Sequence, residues 1–372
     1  MFTFQQGSSS HRGFVIGSWV LFAIGAVLLP YVLWEVFGLF QVGRLNRALY
    51  FAVAILGVNL VVGYSGLIAL GHSAFVGIGA FLTIWLINDF GWDYWMTIPV
   101  AIAIGFLVGV LLGVPALRIK GLYLALLTIA FAAVFPSLMK LDKFGIADAT
   151  GGANGRNIDE ILVAPSWAQS LLGIDDTAEQ QEIYQYFVIL ILTVLAFWAT
   201  RNLLRSRPGR AIIAIRDNET GAAVSGVNLP LYKTLTFGVS AALGALAGVM
   251  WVMNIGFAGE QDFGFAPLAV PLLVGLVIGG VATIEGAVVG AFVVVFVREY
   301  TKSFGLDILS ESLFGLILIA VTFFAPGGVV GFAKQMKGRI MRTIPRPPEG
   351  AVVGRAASPE PPAEEVVPEP AV

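Results

Sequence analysis

The sequence predicts an all-α polytopic membrane protein with about eight to ten transmembrane helices, some of them short or broken. Of its 372 residues, 57% are hydrophobic and 12% are charged, whereas about 25% of the residues in a soluble domain are charged. The hydrophobic residues form long uncharged runs, and lipid offers a backbone no hydrogen-bond partners, so these runs must be helical or buried in protein. The 44 glycines favour closely packed or interrupted helices.

Ten uncharged runs are candidate spans, because about 20 apolar residues cross the hydrocarbon layer as a helix. Several are shorter than that, which leaves the number of crossings between eight and ten. In chain order the runs are 14–34, 48–62, 73–87, 94–115, 121–139, 184–199, 234–253, 267–280, 286–297 and 313–325.

The basic residues predict the orientation, since lysine and arginine collect in cytoplasmic loops. Basic residues dominate the loop at 201–233 and the start of the tail, whereas the loop at 140–183 is acidic and is therefore predicted to be external. We expect a cytoplasmic segment at 1–13, a transmembrane domain at 14–332, and a cytoplasmic tail at 333–372 that is first basic and then disordered and rich in proline and glutamate. The basic residues are Arg201, Arg205, Arg207, Arg210, Arg216 and Lys233 in the loop, and Lys334, Lys337, Arg339 and Arg342 in the tail.

The amino-terminal half allows two topologies, because residues 48–88 contain no charged side chain and could form about 60 Å of helix. Two crossings would leave Arg44 and Arg47 outside, against the charge rule. One crossing with a re-entrant segment at 63–71 would obey that rule but reverse the amino terminus. We favour two crossings.

Composition excludes several classes of function. There is no cysteine and there are only two histidines, so disulfides, thiolate nucleophiles and thiol- or histidine-rich metal sites are not expected. A net charge of −2 gives no basic surface for nucleic acid. No G-x-x-x-x-G-K-[ST] motif occurs, so we expect no enzyme activity, no cofactor and no metal in this chain.

Polar side chains interrupt the glycine-rich run at 59–81. Asn59, Ser65 and His72 would lie at membrane depth, where polar groups usually face a cavity or another helix. They are candidates for a translocation path. The alternative is that the glycines pack helices and that His72 makes an interhelical hydrogen bond.

The cytoplasmic loop contains a short helical pattern between Pro208 and Pro230. Asp217 or Asn218 could cap its helix, and Ala222 and Gly226 are four residues apart, which predicts that they share one helix face. Such a helix could dock in a groove of another protein, or the loop could be a plain connection.

Five segments give the chain its resemblance to a known family. They are NLVVGYSGLIALGHSAF at 59–75, LRIKGLYLALLTIAFA at 117–132, TGGANG at 150–155, RPGRAIIAIRDNETGAAVSGVNLPLYK at 207–233 and LLVGLVIGGVATIEGAVVGA at 272–291. The chain resembles the inner-membrane permeases of branched-chain amino-acid ABC importers, and the LivM-like subunit more than its partner permease.

The resemblance implies the ABC importer permease type of fold and a set of partners. These are a second homologous permease, two cytoplasmic ATPases that use the ATP, and an external solute-binding protein, assembled in a bacterial-type cytoplasmic (inner) membrane. It also implies that the loop seats a coupling helix on the ATPase. The residues of this coupling set are Arg216, Asp217, Asn218, Glu219, Ala222 and Gly226. The loop departs from the family in having Gly221–Ala222 where a Glu-Ala-Ala triplet is more usual.

The TGGANG segment at 150–155 lies in the predicted external loop and so cannot hold cytoplasmic ATP. It is either a flexible glycine turn or a contact for the binding protein through Thr150, Gly151, Gly152 and Asn154. Glu285, between two apolar runs, lies in a solvated turn or else serves as a gate or a second docking contact.

Three functions remain open from the sequence. The first is the permease subunit of a branched-chain amino-acid ABC importer. The second is the permease subunit of an ABC importer of the same type that carries urea or short amides. An ion-coupled secondary carrier is the third, but such carriers usually need ionisable groups at membrane depth. This chain has only His72 there.

Overall fold

The computed structural model describes residues 2–5, 28, 30–31, 40–116, 121–159, 162–172, 178–303, 315–316, 319–320, 323 and 327–344. Within these ranges the chain is almost entirely helical, which confirms the predicted class. The helices are α1 (Phe40–Asn59), α2 (His72–Phe90), α3 (Tyr94–Ala116), α4 (Leu122–Leu138), α5 (Ile146–Thr150), α6 (Ser166–Leu172), α7 (Ala178–Arg205), α8 (Arg207–Asp217), α9 (Glu219–Val224), α10 (Leu229–Ile255), α11 (Val270–Gly279), α12 (Ile284–Ser303) and α13 (Gly328–Ile340).

Short irregular elements join these helices. A π-helical turn, Leu60–Tyr64, extends α1, and a second one, Phe265–Ala269, precedes α11. Three 3₁₀ turns lie at Lys143–Gly145, Gly152–Asn154 and Glu260–Phe263. Strand β2 (Arg156–Asn157) pairs antiparallel with β3 (Phe257–Ala258).

Among the described residues, five helical segments are long and apolar enough to cross a membrane: Val42–Tyr64, His72–Phe90, Tyr94–Pro115, Gln181–Arg205 and Leu229–Ile255. Two shorter apolar helices, Tyr123–Leu138 and Phe265–Gly279, add to them. Eight of the ten predicted runs therefore coincide with described helices. Most residues of the runs at 14–34 and 313–325 lie outside the described residues.

Helix α10 forms the centre of the bundle. Glycines allow its neighbours to approach closely: Gly105, Gly109 and Gly113 of α3 lie directly against α10, and a Cβ at Gly109 would be 2.5 Å from the Cβ of Ala241. Gly57 of α1 faces the backbone of Ser240 in the same way. Since lipid adds little hydrophobic force between helices, this close packing stabilises the bundle.

The two ends of the bundle differ. We call the end that carries α8 and α9 the loop end, and the end that carries residues 140–172 the cap end. Arg44 and Arg47 lie at the cap end, where both form ion pairs with Glu299 at the end of α12. The other end of α1 contacts α8. Residues 48–88 therefore pass through the bundle twice, as the favoured topology requires, and Arg44 and Arg47 lie at the end opposite the basic loop.

The first and last described residues form a separate unit. Strand β1 (Phe2–Gln5) pairs parallel with β4 (Met341–Ile344). The predicted boundary between residues 332 and 333 falls inside α13, because that helix continues to Ile340. The tail beyond residue 344 lies outside the described residues.

Candidate functional site

Two short helices build the loop end. Ser206 caps α8, with Gly209 N–H as the donor, and proline lies in the first turn. Asn218 caps α9 by accepting a hydrogen bond from Gly221 N over 2.9 Å. Capping by Asn218 was one of the two alternatives that the sequence offered, and it is confirmed. Asn218 lies between the two helices, so α8 ends at Asp217 and α9 starts at Glu219.

The loop is attached to the bundle at two further points. Arg216 donates from Nη1 to the carbonyl oxygen of Gly63 over 3.1 Å, which joins α8 to the π-helical turn after α1. Lys233, at the start of α10, lies with Nζ 2.8 Å from Oε1 of Glu219 in α9. Because the ammonium of Lys233 is buried, this ion pair is shielded from solvent. Defined contacts therefore hold the loop against the bundle, so it is more than a plain connection between helices.

The exposed surface of the loop differs from the predicted one. The tip of α9 presents Val224, which is 86% exposed, whereas Ala222 is 5% exposed and faces the bundle. The expectation that Ala222 and Gly226 share a helix face is wrong, because α9 ends at Val224 and Gly226 has φ +82°. A left-handed conformation of this kind favours glycine.

The other predicted loop residues divide between contacts and solvent. The guanidinium of Arg216 forms an ion pair with Asp217 over 2.9 Å in addition to its bond to Gly63. The side chain of Asp217 is exposed, and Asn218 is exposed apart from its cap. Sequence reasoning missed Gly63 and Val224, since neither the long-range partner of Arg216 nor the exposed face of α9 can be read from spacing.

Asn59 joins α1 to the turn between α11 and α12. Its side chain is fully buried. Its Oδ1 accepts from Ala282 N over 2.9 Å, and its Nδ2 donates to Thr283 O over 2.8 Å. Both ends of the amide are therefore used within the chain.

Ser65 and His72 lie on either side of the irregular segment 66–71. The Ser65 hydroxyl donates to Val61 O over 2.7 Å, a local bond within the turn. The His72 ring bonds through Nε2 to the hydroxyl of Ser240 in α10. The alternative that His72 makes an interhelical hydrogen bond is thus confirmed. Three predicted path residues lie near one end of α1 and α2, but only His72 keeps an unused polar atom.

The TGGANG segment is an ordered turn at the cap end. The Thr150 hydroxyl is buried and donates towards Met139 O over 2.7 Å, so it does not face solvent. Gly151 and Gly152 have positive φ angles and are half-buried. Asn154 is exposed. Of the four residues predicted to touch a binding protein, Asn154 is the most accessible.

Two ion pairs that the sequence did not indicate brace the cap end. Arg156 makes a bidentate contact with Asp89, and this hydrogen-bonded carboxylate raises the pKa of the Arg156 guanidinium. Lys140 Nζ lies 2.6 Å from Oε1 of the buried Glu260. A cavity of about 430 Å³ opens nearby, lined by residues that include Trp92, but it is remote from the predicted path residues.

Glu285 lies at the loop end. Its carboxylate is exposed and is 3.3 Å from Nζ of Lys334 in α13, which agrees with a solvated turn. Across the described part of the chain, no group of three or more histidine, cysteine or acidic residues could hold a metal ion.

Comparison with known proteins identifies the family. The family model described as "Branched-chain amino acid transport system / permease component" matches residues 40–323. The high-affinity branched-chain amino acid transport system permease protein LivM of Salmonella typhimurium is 32% identical over 229 residues, which cover 58% of this chain and 52% of the relative. LivM of Escherichia coli is 31% identical over 227 residues, with the same two coverages.

A third relative is archaeal. The probable branched-chain amino acid transport permease protein LivM of Methanocaldococcus jannaschii is 23% identical over 263 residues, 66% of this chain and 72% of the relative. The chain spans about half the length of the two bacterial relatives that it matches. No solved structure matches it. With a match over residues 40–323 and a bundle of apolar helices, this multi-pass membrane protein belongs to the family of branched-chain amino acid transport system permease components.

Proposed function

We propose that the chain is the permease subunit of an ATP-driven importer of branched-chain amino acids, located in a bacterial-type cytoplasmic membrane. One observation carries the proposal. The helix α9 exposes an apolar residue, Val224, at its tip while Glu219 on the same helix is held to α10 by Lys233. An exposed apolar tip on a braced helix suits docking in a groove of a partner.

The partner at the loop end is a cytoplasmic ATPase. This chain has no phosphate-binding loop, so the energy must come from another subunit. Movement of the docked helix would reach the bundle through Arg216, which is bonded to the end of α1. Within the coupling set, Arg216, Asn218 and Glu219 therefore serve attachment and capping, and docking is assigned to Val224, a residue outside that set.

The remaining partners follow from the family. An importer of this kind needs a second permease to complete the path and an external solute-binding protein to deliver the amino acid. The cap end is the surface available to that binding protein, and Asn154 is exposed on it. Two ATPase subunits would serve the two permeases, and neither a cofactor nor a metal is assigned to this chain.

The relatives support the choice of cargo. Each of the three is described as a component of branched-chain amino acid transport. The described spans carry their ionisable side chains at the helix ends apart from His72. This disfavours an ion-coupled carrier, which would place such groups at membrane depth.

The test is reconstitution of the chain in liposomes with its second permease, two ATPases and the binding protein. We expect leucine, isoleucine or valine to stimulate ATP turnover and to be accumulated against a gradient. Stimulation by urea or acetamide alone would show that the chain belongs to an ATP-driven importer of urea or short amides instead. Uptake driven by a sodium or proton gradient without ATPase subunits would overturn the proposal.

A further inference from the structure

Helix α2 begins in the interior of the bundle rather than at its surface. Its first residue, His72, contacts Ser240, which lies near the middle of the 27-residue α10. The preceding residue, Gly71, lies against the backbone of Thr128, near the middle of the 17-residue α4. At 1.5 Å per residue, Ser240 is about 16 Å along α10 from its start at the loop end, and Thr128 is about 9 Å along α4 from its first residue. The irregular segment 66–71 brings the chain to this depth.

Two backbone N–H groups at the start of α2 have no hydrogen-bond acceptor among the described residues. No side chain caps this helix, and its first turn contains no acidic residue. Ala74 N donates to Gly71 O, and Leu70 N donates to the Thr128 hydroxyl. Within the ranges that the structure describes, neither His72 N nor Ser73 N has an acceptor. Unpaired amides at the start of a helix attract negative charge.

The hydrogen bonds around His72 determine its tautomer. The Ser240 hydroxyl donates to the carbonyl oxygen of Gly57, and a hydroxyl has only one hydrogen to donate. The Ser240 oxygen must therefore accept from His72, so Nε2 carries the proton. An imidazolium buried here among apolar side chains would be costly. His72 is accordingly neutral, with Nδ1 as an acceptor.

Two buried polar atoms at this point are unused. His72 is 3% exposed and Ser73 is fully buried. Neither His72 Nδ1 nor the Ser73 hydroxyl has a hydrogen-bond partner. Buried polar atoms without a partner are uncommon in folded proteins and call for an explanation, which can be a functional role. Here they accompany two unused amides, so donors and an acceptor occur together.

We propose that the start of α2 is the site at which the permease binds the amino-acid backbone of its substrate in transit. The amides of His72 and Ser73 and the Ser73 hydroxyl donate to the carboxylate. His72 Nδ1 accepts a hydrogen bond from the ammonium group. The aliphatic side chain of the substrate packs against apolar neighbours such as Phe75, whose ring centroid is 5.4 Å from that of His72. This inference rests on the proposed function.

The segment 66–71, which we call the wall, lies between this site and the surface of the chain. It also contacts α8 in the cytoplasmic loop. Gly66 and Ile68 are exposed, so the segment separates the start of α2 from the surface of the chain. A Cβ at Gly66 would be 2.9 Å from Cγ of Arg216. Movement of α8 would therefore displace the wall, which gives the substrate access to the buried atoms.

The first test observes His72 directly. The chain contains two histidines, so His11→Gln leaves His72 as the single ¹⁵N-histidine signal when only this chain is labelled in the reconstituted complex. We expect the Nε2–H tautomer without ligand. Leucine and leucinamide, which carry an ammonium group, should shift Nδ1, and 4-methylpentanoate, which lacks one, should not. An Nδ1–H tautomer or an unchanged signal at saturating leucine would overturn the proposal.

The second test uses Ser73→Ala in ATP-driven uptake. Removing an unused buried hydroxyl should not lower the melting temperature of the protein, since no bond in the chain is lost. We expect the leucine concentration for half-maximal uptake to rise about tenfold. Thr83→Val removes a buried hydroxyl of the same helix that bonds only to Gly79 O and should leave uptake unchanged. Equal uptake by wild type and Ser73→Ala would contradict the site.

The two proposals can fail separately. Absence of ATP-driven leucine uptake by the wild-type complex would reject the proposed function. Normal uptake with an unaffected His72 signal and an unaffected Ser73→Ala variant would reject the site alone.

Discussion

The guanidinium of Arg216 donates a hydrogen bond to the carbonyl oxygen of Gly63 over 3.1 Å. It links the basic loop to a π-helical turn, Leu60–Tyr64, at the end of α1. Turns of this kind often occur at functional sites. On the other side of the same turn, Asn59 holds the backbone between α11 and α12. One arginine therefore connects the loop to three helices of the bundle.

Arg216→Ala should uncouple transport from ATP hydrolysis without preventing insertion. The loop remains attached through Glu219 and Lys233, but its bond to the end of α1 is lost. We expect leucine uptake per ATP to fall at least tenfold, in keeping with the loss of about 1.5–3 kcal/mol from a hydrogen bond to a charged group. The measurement is the ratio of uptake to phosphate release in proteoliposomes.

Arg210→Ala is the control for that variant. Its guanidinium is exposed and bonds to Arg205 O within the loop, so the same loss of charge leaves the connection to Gly63 intact. A wild-type ratio for Arg216→Ala, or an equal defect in Arg210→Ala, would contradict a specific role for Arg216.

Val224→Asp should weaken docking of the ATPase at the loop end. The side chain projects from the tip of α9, and burying a carboxylate in an apolar groove without a partner is costly. We expect the variant to insert normally but to lose most of the ATPase during affinity purification of the complex. Val163→Asp makes the same change at an exposed position of the cap end and should retain the ATPase. Equal retention by the two variants would place the docking surface elsewhere.

The sequence predicted the helical class and the main spans because each span is a run of consecutive apolar residues without charges, which can be recognised without knowing the rest of the fold. It also identified Asn218 as a possible cap, since capping depends on residues three positions apart. Spacing alone could not reveal that α9 ends before Gly226, because either Gly226 or a later residue could stop that helix. Nor could it show that Ser240 reaches His72 or that Ala282 reaches Asn59. Those pairs are separated by more than 160 residues, and their contacts depend on how whole helices pack.

Asn59→Leu should destabilise the bundle. It leaves Ala282 N and Thr283 O without partners at a buried position, and each unsatisfied group costs about 1–3 kcal/mol. We expect the free energy of unfolding in detergent to fall by roughly 2–6 kcal/mol on that basis, with reduced yield of inserted protein. Asn46→Leu is the comparison, since Asn46 is equally buried but makes a single, longer bond to Glu182 O. A smaller effect at Asn59 than at Asn46 would show that the turn between α11 and α12 does not depend on this amide.

Single cysteines should report the two ends of the bundle from opposite sides of the membrane. The native chain has none, so Val224→Cys and Val163→Cys each introduce one thiol, and both positions are exposed. The loop end carries the arginines that favour the cytoplasm. A membrane-impermeant maleimide added to intact spheroplasts should therefore label Val163→Cys and spare Val224→Cys, and inverted vesicles should give the reverse. Wild-type uptake by both variants is the control for correct assembly. Labelling of Val224→Cys in intact spheroplasts would put α9 beyond the reach of a cytoplasmic ATPase and would refute the proposed mode of coupling.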